Sequence, residues 1–214
     1  MTEYAHLWLY FLMVFGIIVL PGMDMAFVLA SSLAGGRQAG MIAVAGIVFG
    51  GICHVAAGAL GVGLLFKWVP GLMDGMLIVG ALYIGWIGIS LIRSNPGAAS
   101  ANDPPIIAQR GAWATFRQAA FTCLMNPKAY LFMLAIFPQF LRAEYGPVWI
   151  QAVVLGAITA ITQIALYGGM ALAAGGARGW LRDRPAAGAF VARAAGTMLL
   201  AGAAVTAGGA ITSH

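Results

Sequence analysis

The sequence predicts an all-α membrane protein of six transmembrane helices, arranged as two inverted three-helix repeats with spans 1 and 4 broken at prolines. Three observations carry this prediction. The first is composition: 62% of the 214 residues are hydrophobic and 8% charged, whereas a soluble domain carries roughly 45–50% apolar and about 25% charged residues. Eleven basic and six acidic side chains cannot cover the surface of a soluble domain of this size. The soluble-enzyme and secreted-domain classes are thereby excluded. The second is the spacing of those charges, because residues 4–23, 38–66, 75–92, 145–177 and 194–214 are free of them. A spanning helix needs about 20 apolar residues. The apolar blocks are continuous rather than alternating over about 10 residues as barrel strands do, and in lipid a continuous block must satisfy its backbone as helix. The third is a pair of proline breaks, described below.

The expected spans are 7–31, 40–66, 71–92, 114–141, 147–173 and 188–211. The first lacks the basic flank of a signal peptide and is too long for one, so it is read as a span. The fourth contains Arg117 and Lys128 and is kept because the rest of 114–141 is apolar. Residues 93–113, with Ser94-Asn95-Pro96-Gly97 and Asn102-Asp103-Pro104-Pro105, form a polar connector loop. It divides the chain into a first repeat, 1–92, and a second, 114–214. Three spans per half is an odd number, so a duplicated half returns upside down. Internal echoes agree with duplication. Leu20-Pro21-Gly22 corresponds to Asn126-Pro127-Lys128, 106 residues on, and Val48-Phe49-Gly50-Gly51 to Val154-Leu155-Gly156-Ala157. At a slightly larger offset Gly80 meets Gly196. Paired broken helices in inverted repeats are a transporter signature.

Basic residues set the orientation. Eight of them (Arg37, Arg93, Arg110, Arg117, Arg178, Arg182, Arg184 and Arg193) fall in or beside the odd-numbered loops, against two, Lys67 and Arg142, on the other side. The odd loops, including the 93–113 connector, are expected to be cytoplasmic and both termini periplasmic. The net charge of +5 then reflects topology and contact with anionic lipid, and no nucleic-acid partner is expected.

Four places could carry chemistry. At Pro21-Gly22-Met23-Asp24, proline removes a backbone donor and clashes with the preceding turn. Asp24 follows near the bilayer midplane, where a carboxylate costs roughly 2.5–3.5 kcal/mol. Asp24 serves as an N-cap for the restarted helix, as a proton or ammonium site, or as both. At Asn126-Pro127-Lys128, Asn is a good N-cap and Pro suits the first helical position. Lys128 opposes the helix dipole. Pairing with Asp24, strengthening of an anion site, or snorkelling to the interface would each explain it. His54 shares a stripe with Gly46, Gly50 and Gly58 that invites close helix approach; it is a packed histidine or a proton relay. Thr159, Thr162 and Gln163 in span 5 offer polar contacts or interhelical glue. Two half-helix N-termini attract a carboxylate and Asp24 attracts an ammonium group, which together describe an α-amino acid. No cofactor or metal site is expected.

The chain resembles the lysine exporter (LysE/RhtB-like) superfamily, in its homoserine/threonine-resistance branch. The resemblance runs through Pro21-Gly22-Met23-Asp24-Met25 with Phe27-Val28-Leu29, Gly35-Gly36-Arg37-Gln38-Ala39-Gly40, and Gly46-x3-Gly50-x3-His54. It continues through Gly80-Ala81-Leu82-Tyr83 with Gly85-Trp86, Phe116-Arg117, Asn126-Pro127-Lys128-Ala129 and Phe137-Pro138-Gln139-Phe140. It implies a bacterial inner-membrane exporter of amino acids or their derivatives, driven by the proton gradient and assembled as a homodimer. Its substrate-binding positions fall on Pro21, Gly22, Met23, Asp24, Asn126, Pro127 and Lys128, and proton coupling on Asp24 and His54. Where the family usually has a second proline, this chain has Met23, so a softer break is expected. The expected function is therefore transport and not catalysis. The rival readings are an intramembrane thiol–disulfide electron carrier using Cys53 and Cys123, and a channel or scaffold.

Overall fold

Helix accounts for all the regular structure in the described part of the computed structural model. That part comprises residues 5–20, 22–60, 78–79, 81–82, 85–86, 88–89, 92–93, 111–182 and 184–212. The helices are α1 (Ala5–Val19), α2 (Met23–Ala59), α3 (Ala112–Leu124), α4 (Pro127–Ala135), α5 (Val148–Arg182) and α6 (Pro185–Thr212), with two 3-10 turns, Phe137–Phe140 and Ala143–Tyr145, between α4 and α5. Met23–Ala59 and Val148–Trp180 are each long and apolar enough to cross a bilayer. Large apolar side chains such as Leu12, Phe49, Val153, Ile161 and Phe190 point outward. That is the surface a lipid solvent favours.

Both expected breaks interrupt helix. Span 1 is α1 followed by the first arm of α2, and span 4 is α3 followed by α4. Most of span 3 and all but Gly111 to Trp113 of the connector's inner part lie outside the described residues; those described between 78 and 93 are helical. Span 5 runs on to Arg182, well past its expected end at 173.

The 37 residues of α2 are two arms, not one rod. Gly36 has φ 77° and ψ −170° inside it, a backbone conformation that favours glycine. A straight helix would hold residues 32 and 40 about 12 Å apart, yet a Cβ at Gly40 would fall on the Ser32 hydroxyl. The chain therefore folds back at Gly36, and the two arms of α2 form a tight hairpin.

The second arm of α2 packs between α3 and α5. A Cβ at Gly46 would overlap the Phe116 carbonyl oxygen, one at Gly50 would lie 2.7 Å from Cys123 Cβ, and one at Gly58 would lie 2.9 Å from the Phe137 ring. The small-residue stripe thus seats span 2 on span 4, backbone against backbone. Gly46→Ala is expected to destabilise the protein by about 1–3 kcal/mol through overpacking, read as a lower unfolding temperature in detergent. An unchanged temperature would refute this packing. On the far side, Tyr10 of α1 is enclosed by Phe132, Phe137 and Phe140, with ring centroids 5.8, 6.3 and 5.1 Å away.

The basic residues separate along the bundle. At one end Arg37 donates to the Leu172 carbonyl (3.3 Å), Arg178 lies over Gly36, and Arg184 sits 4.6 Å from the centre of the Trp180 ring. At the other end His6 stacks on Tyr145 at 4.1 Å, and Gln151 ties the turn together by bonding the backbone of Arg142 and Gly146.

Candidate functional site

The site is built where the two breaks meet. The chain leaves α1 after Val19 and re-enters helix at Met23, with Gly22 extended at φ −171° and ψ −171°. Any residue adopts that conformation, so backbone strain does not explain the glycine. Its neighbour does: a Cβ on Gly22 would lie 3.2 Å from Lys128 Nζ and 3.6 Å from Cε. The missing side chain gives the lysine room to cross from span 4 to span 1.

Lys128 uses that room to reach a carbonyl freed by the break. Its Nζ donates to the Leu20 oxygen at 2.9 Å. Three explanations for this lysine were open from sequence; the structure adds a fourth, bridging the two broken spans through a backbone group. Among the described residues, Lys128 makes no ion pair with Asp24. At the start of α4, Asn126 Oδ1 accepts from the Lys128 amide at 3.1 Å with Pro127 following it, the expected cap.

Asp24 follows in the first turn of α2 and is 5% exposed. Among the described residues its Oδ1 has no hydrogen-bond partner, and neither has Asn126 Nδ2. A buried polar atom left unpaired costs of order 1–3 kcal/mol, so each such atom calls for an explanation. Both residues line one cavity of about 50 Å³, which Lys128, His54, Gln163 and Thr159 also line. At roughly 10–15 Å³ of such space per water, the cavity has room for a few waters.

His54 joins this cavity to the span 4 break. Its Nε2 lies 3.0 Å from the Cys123 carbonyl oxygen. A carbonyl can only accept, so Nε2 carries the proton and Nδ1 is left for other exchange. Tyr130 stands edge-on to the ring, at 4.7 Å and 86°. Gly50 and Cys123 in close contact bring the two helices near enough for this bond.

Span 5 forms the opposite wall. Gln163 is 6% exposed, and its Oε1 is the third buried side-chain oxygen or nitrogen without a partner among the described residues. Thr159 donates to the Leu155 carbonyl (3.0 Å) and so receives the Tyr10 hydroxyl (2.9 Å). Thr162 bonds back to Ile158 of its own helix (2.7 Å). Tyr167, fully buried, lines the cavity as well. Neither Tyr10 nor Tyr167 stands out in the sequence, because tyrosines in an apolar span read as packing or interfacial anchors. A second cavity of about 310 Å³ opens beside His6, Glu144, Tyr145 and Gln151. Tyr10 stands between the two, bonded to Thr159 of the first and packed on Phe140 of the second.

Of the residues singled out from sequence, Asp24, Asn126, Lys128 and His54 share the central cavity. Gly22 lies under the Lys128 side chain, and Met23 is packed in the apolar core. Pro127 begins α4; Pro21 lies outside the described residues. Cys123 lines the cavity and Cys53 does not, and both are free thiols.

Comparison with known proteins shows the family of the chain. Residues 15–208 match the family described as LysE type translocator. An uncharacterized membrane protein of Pseudomonas aeruginosa is 34% identical over 83% of this chain and 83% of its own length. An uncharacterized membrane protein of Vibrio cholerae is 30% identical over 79% and 82%. The homoserine/homoserine lactone efflux protein of Salmonella typhimurium is 29% identical over 76% and 77%. No solved structure matches the chain.

Proposed function

We propose that this chain, which belongs to the LysE type translocator family, exports an amino acid or amino-acid derivative across the inner membrane by proton antiport. The observation that carries the proposal is the cavity between the breaks. Among the described residues it combines, with a lysine whose ammonium donates to a backbone carbonyl, a buried carboxylate oxygen and an amide nitrogen that make no hydrogen bond. A zwitterion supplies the missing groups: its ammonium suits Asp24, and its carboxylate suits Asn126 Nδ2, the Lys128 ammonium and the amides in the first turn of α2. The efflux protein of Salmonella typhimurium, related over most of both chains, supports the same substrate class.

In this reading Asp24 holds a proton and the substrate ammonium alternately, which couples the two fluxes. His54 passes protons between the cavity and Asp24. Lys128 exchanges the Leu20 carbonyl for the substrate carboxylate, so loading the site unties the two breaks. A space of about 50 Å³ is too small for an amino acid, so the site widens to take the substrate. Rocking of the three-helix halves 1–92 and 114–214 opens it, inward at the arginine-rich end and outward past Tyr10 into the second cavity. A homodimer is the assembly the resemblance implies.

Proteoliposomes test this directly. Loaded with a small amino acid such as L-homoserine, they are expected to release it faster under an opposing proton gradient than at uniform pH. Equal release with and without the gradient identifies downhill conduction and overturns antiport. Absence of release of any small amino acid overturns the substrate class.

A further inference from the structure

We infer that Gln163 is the residue that selects the substrate's side chain, accepting a hydrogen bond from a polar group on a short side chain. The inference rests on the amino-acid reading of the cavity given above. It goes beyond that reading because Asp24, Asn126 and Lys128 address only the ammonium and carboxylate common to every amino acid.

Three observations single out this glutamine. It is 6% exposed and lines the cavity, yet its Oε1 has no partner. Interhelical glue would have one; Thr159 and Thr162, which occupy the same helix, both do. Its position is also provided for, since a Cβ at Gly51 would lie 2.7 Å from Oε1 and 3.0 Å from Nε2. Gly51 on span 2 therefore leaves the space in which the amide lies, as Gly22 does for Lys128. Finally, Val14, Ile17, Ile18, Phe132 and Met133 line much of the remaining wall, and of its polar groups Thr159 is already bonded to Leu155 and Tyr10 and His54 to Cys123, with the Tyr167 hydroxyl beside them. Methylenes are tolerated there, and a hydroxyl or amino group finds its partner at Gln163.

The chemistry sets the size of the effect. A pocket that merely fits methylenes discriminates weakly, whereas one with a buried group awaiting a hydrogen bond rejects an analogue that leaves the group unpaired. A short aliphatic amino acid with a terminal donor is the substrate class that results.

The experiment compares release of L-homoserine and of L-2-aminobutyrate, the same chain without the hydroxyl, from proteoliposomes. Wild-type protein is expected to favour L-homoserine by about 10-fold or more in kcat/KM. Gln163→Leu is expected to bring the ratio within about 2-fold while L-2-aminobutyrate is still exported. Gln163→Asn, which withdraws the amide by one methylene, is expected to move the preference to 5-hydroxynorvaline, one methylene longer. A wild type that moves both compounds equally overturns the role of Gln163 and leaves amino-acid export standing. So do a Gln163→Leu that lowers both rates in proportion and a Gln163→Asn that keeps the wild-type order. A wild type that moves neither compound nor any other small amino acid overturns the export reading and this inference with it.

Discussion

Asp24→Asn is expected to abolish proton-coupled export without weakening the fold. The carboxylate loses its charge, and with it a charge-assisted bond to the substrate ammonium worth about 1.5–3 kcal/mol, which is about 10- to 100-fold in affinity. Coupling is lost altogether, because an amide does not exchange a proton with the cavity. Stability should move the other way. Asp24 Oδ1 is buried without a hydrogen bond among the described residues, and a buried carboxylate is costly even with Lys128 lining the same cavity. The asparagine variant should therefore unfold in detergent at the same temperature or higher. Residual export that no longer responds to the pH gradient fits the role given to Asp24. Export that still follows the gradient at the wild-type rate removes that role and leaves the fold unaffected.

Lys128→Met is expected to lower export about 100-fold and to destabilise the protein by about 1–3 kcal/mol, since the Leu20 carbonyl loses its donor. Methionine keeps most of the stem, so the change isolates the ammonium. Lys128→Arg should not restore transport, because Nζ already lies 3.2 Å from where a Gly22 Cβ would be and a planar guanidinium is bulkier. Initial rates in proteoliposomes and unfolding temperatures in detergent measure the two effects. A Lys128→Met protein that exports normally would show that the lysine only snorkels.

How far these two residues were legible differs for a physical reason. The breaks themselves were visible, because Pro21 and Asn126-Pro127 carry their consequences in local backbone chemistry. Asp24 and Lys128 were visible because a charge within an apolar block is expensive wherever it points. Their partners were not. Lys128 bonds a main-chain oxygen, a group every residue possesses, and no side-chain pattern marks it. The same holds for His54 and the Cys123 carbonyl. The glycine stripe from Gly46 to Gly58 predicted close helix approach but not that span 4 would be the partner. The open valence of Gln163 could not be read either, since an unused hydrogen-bond position exists only once the rest of the site has been assembled. Span 5 ran on past 173 because Ala174–Arg178 continues a helix-compatible run in which Gly175 and Gly176 accommodate Arg37.

The reversal at Gly36 bears on how the chain first enters the membrane. The described part of α1, 15 residues, is about 22 Å long, against a hydrocarbon core of about 30 Å. The rest of the first span brings Asp24 with it. Such a segment is a poor passenger for the insertion machinery when presented by itself. Folded against the second arm across Gly36, it has a strongly apolar companion with which to enter the bilayer. A side chain at that position would reduce the yield of membrane-inserted protein before any substrate is encountered.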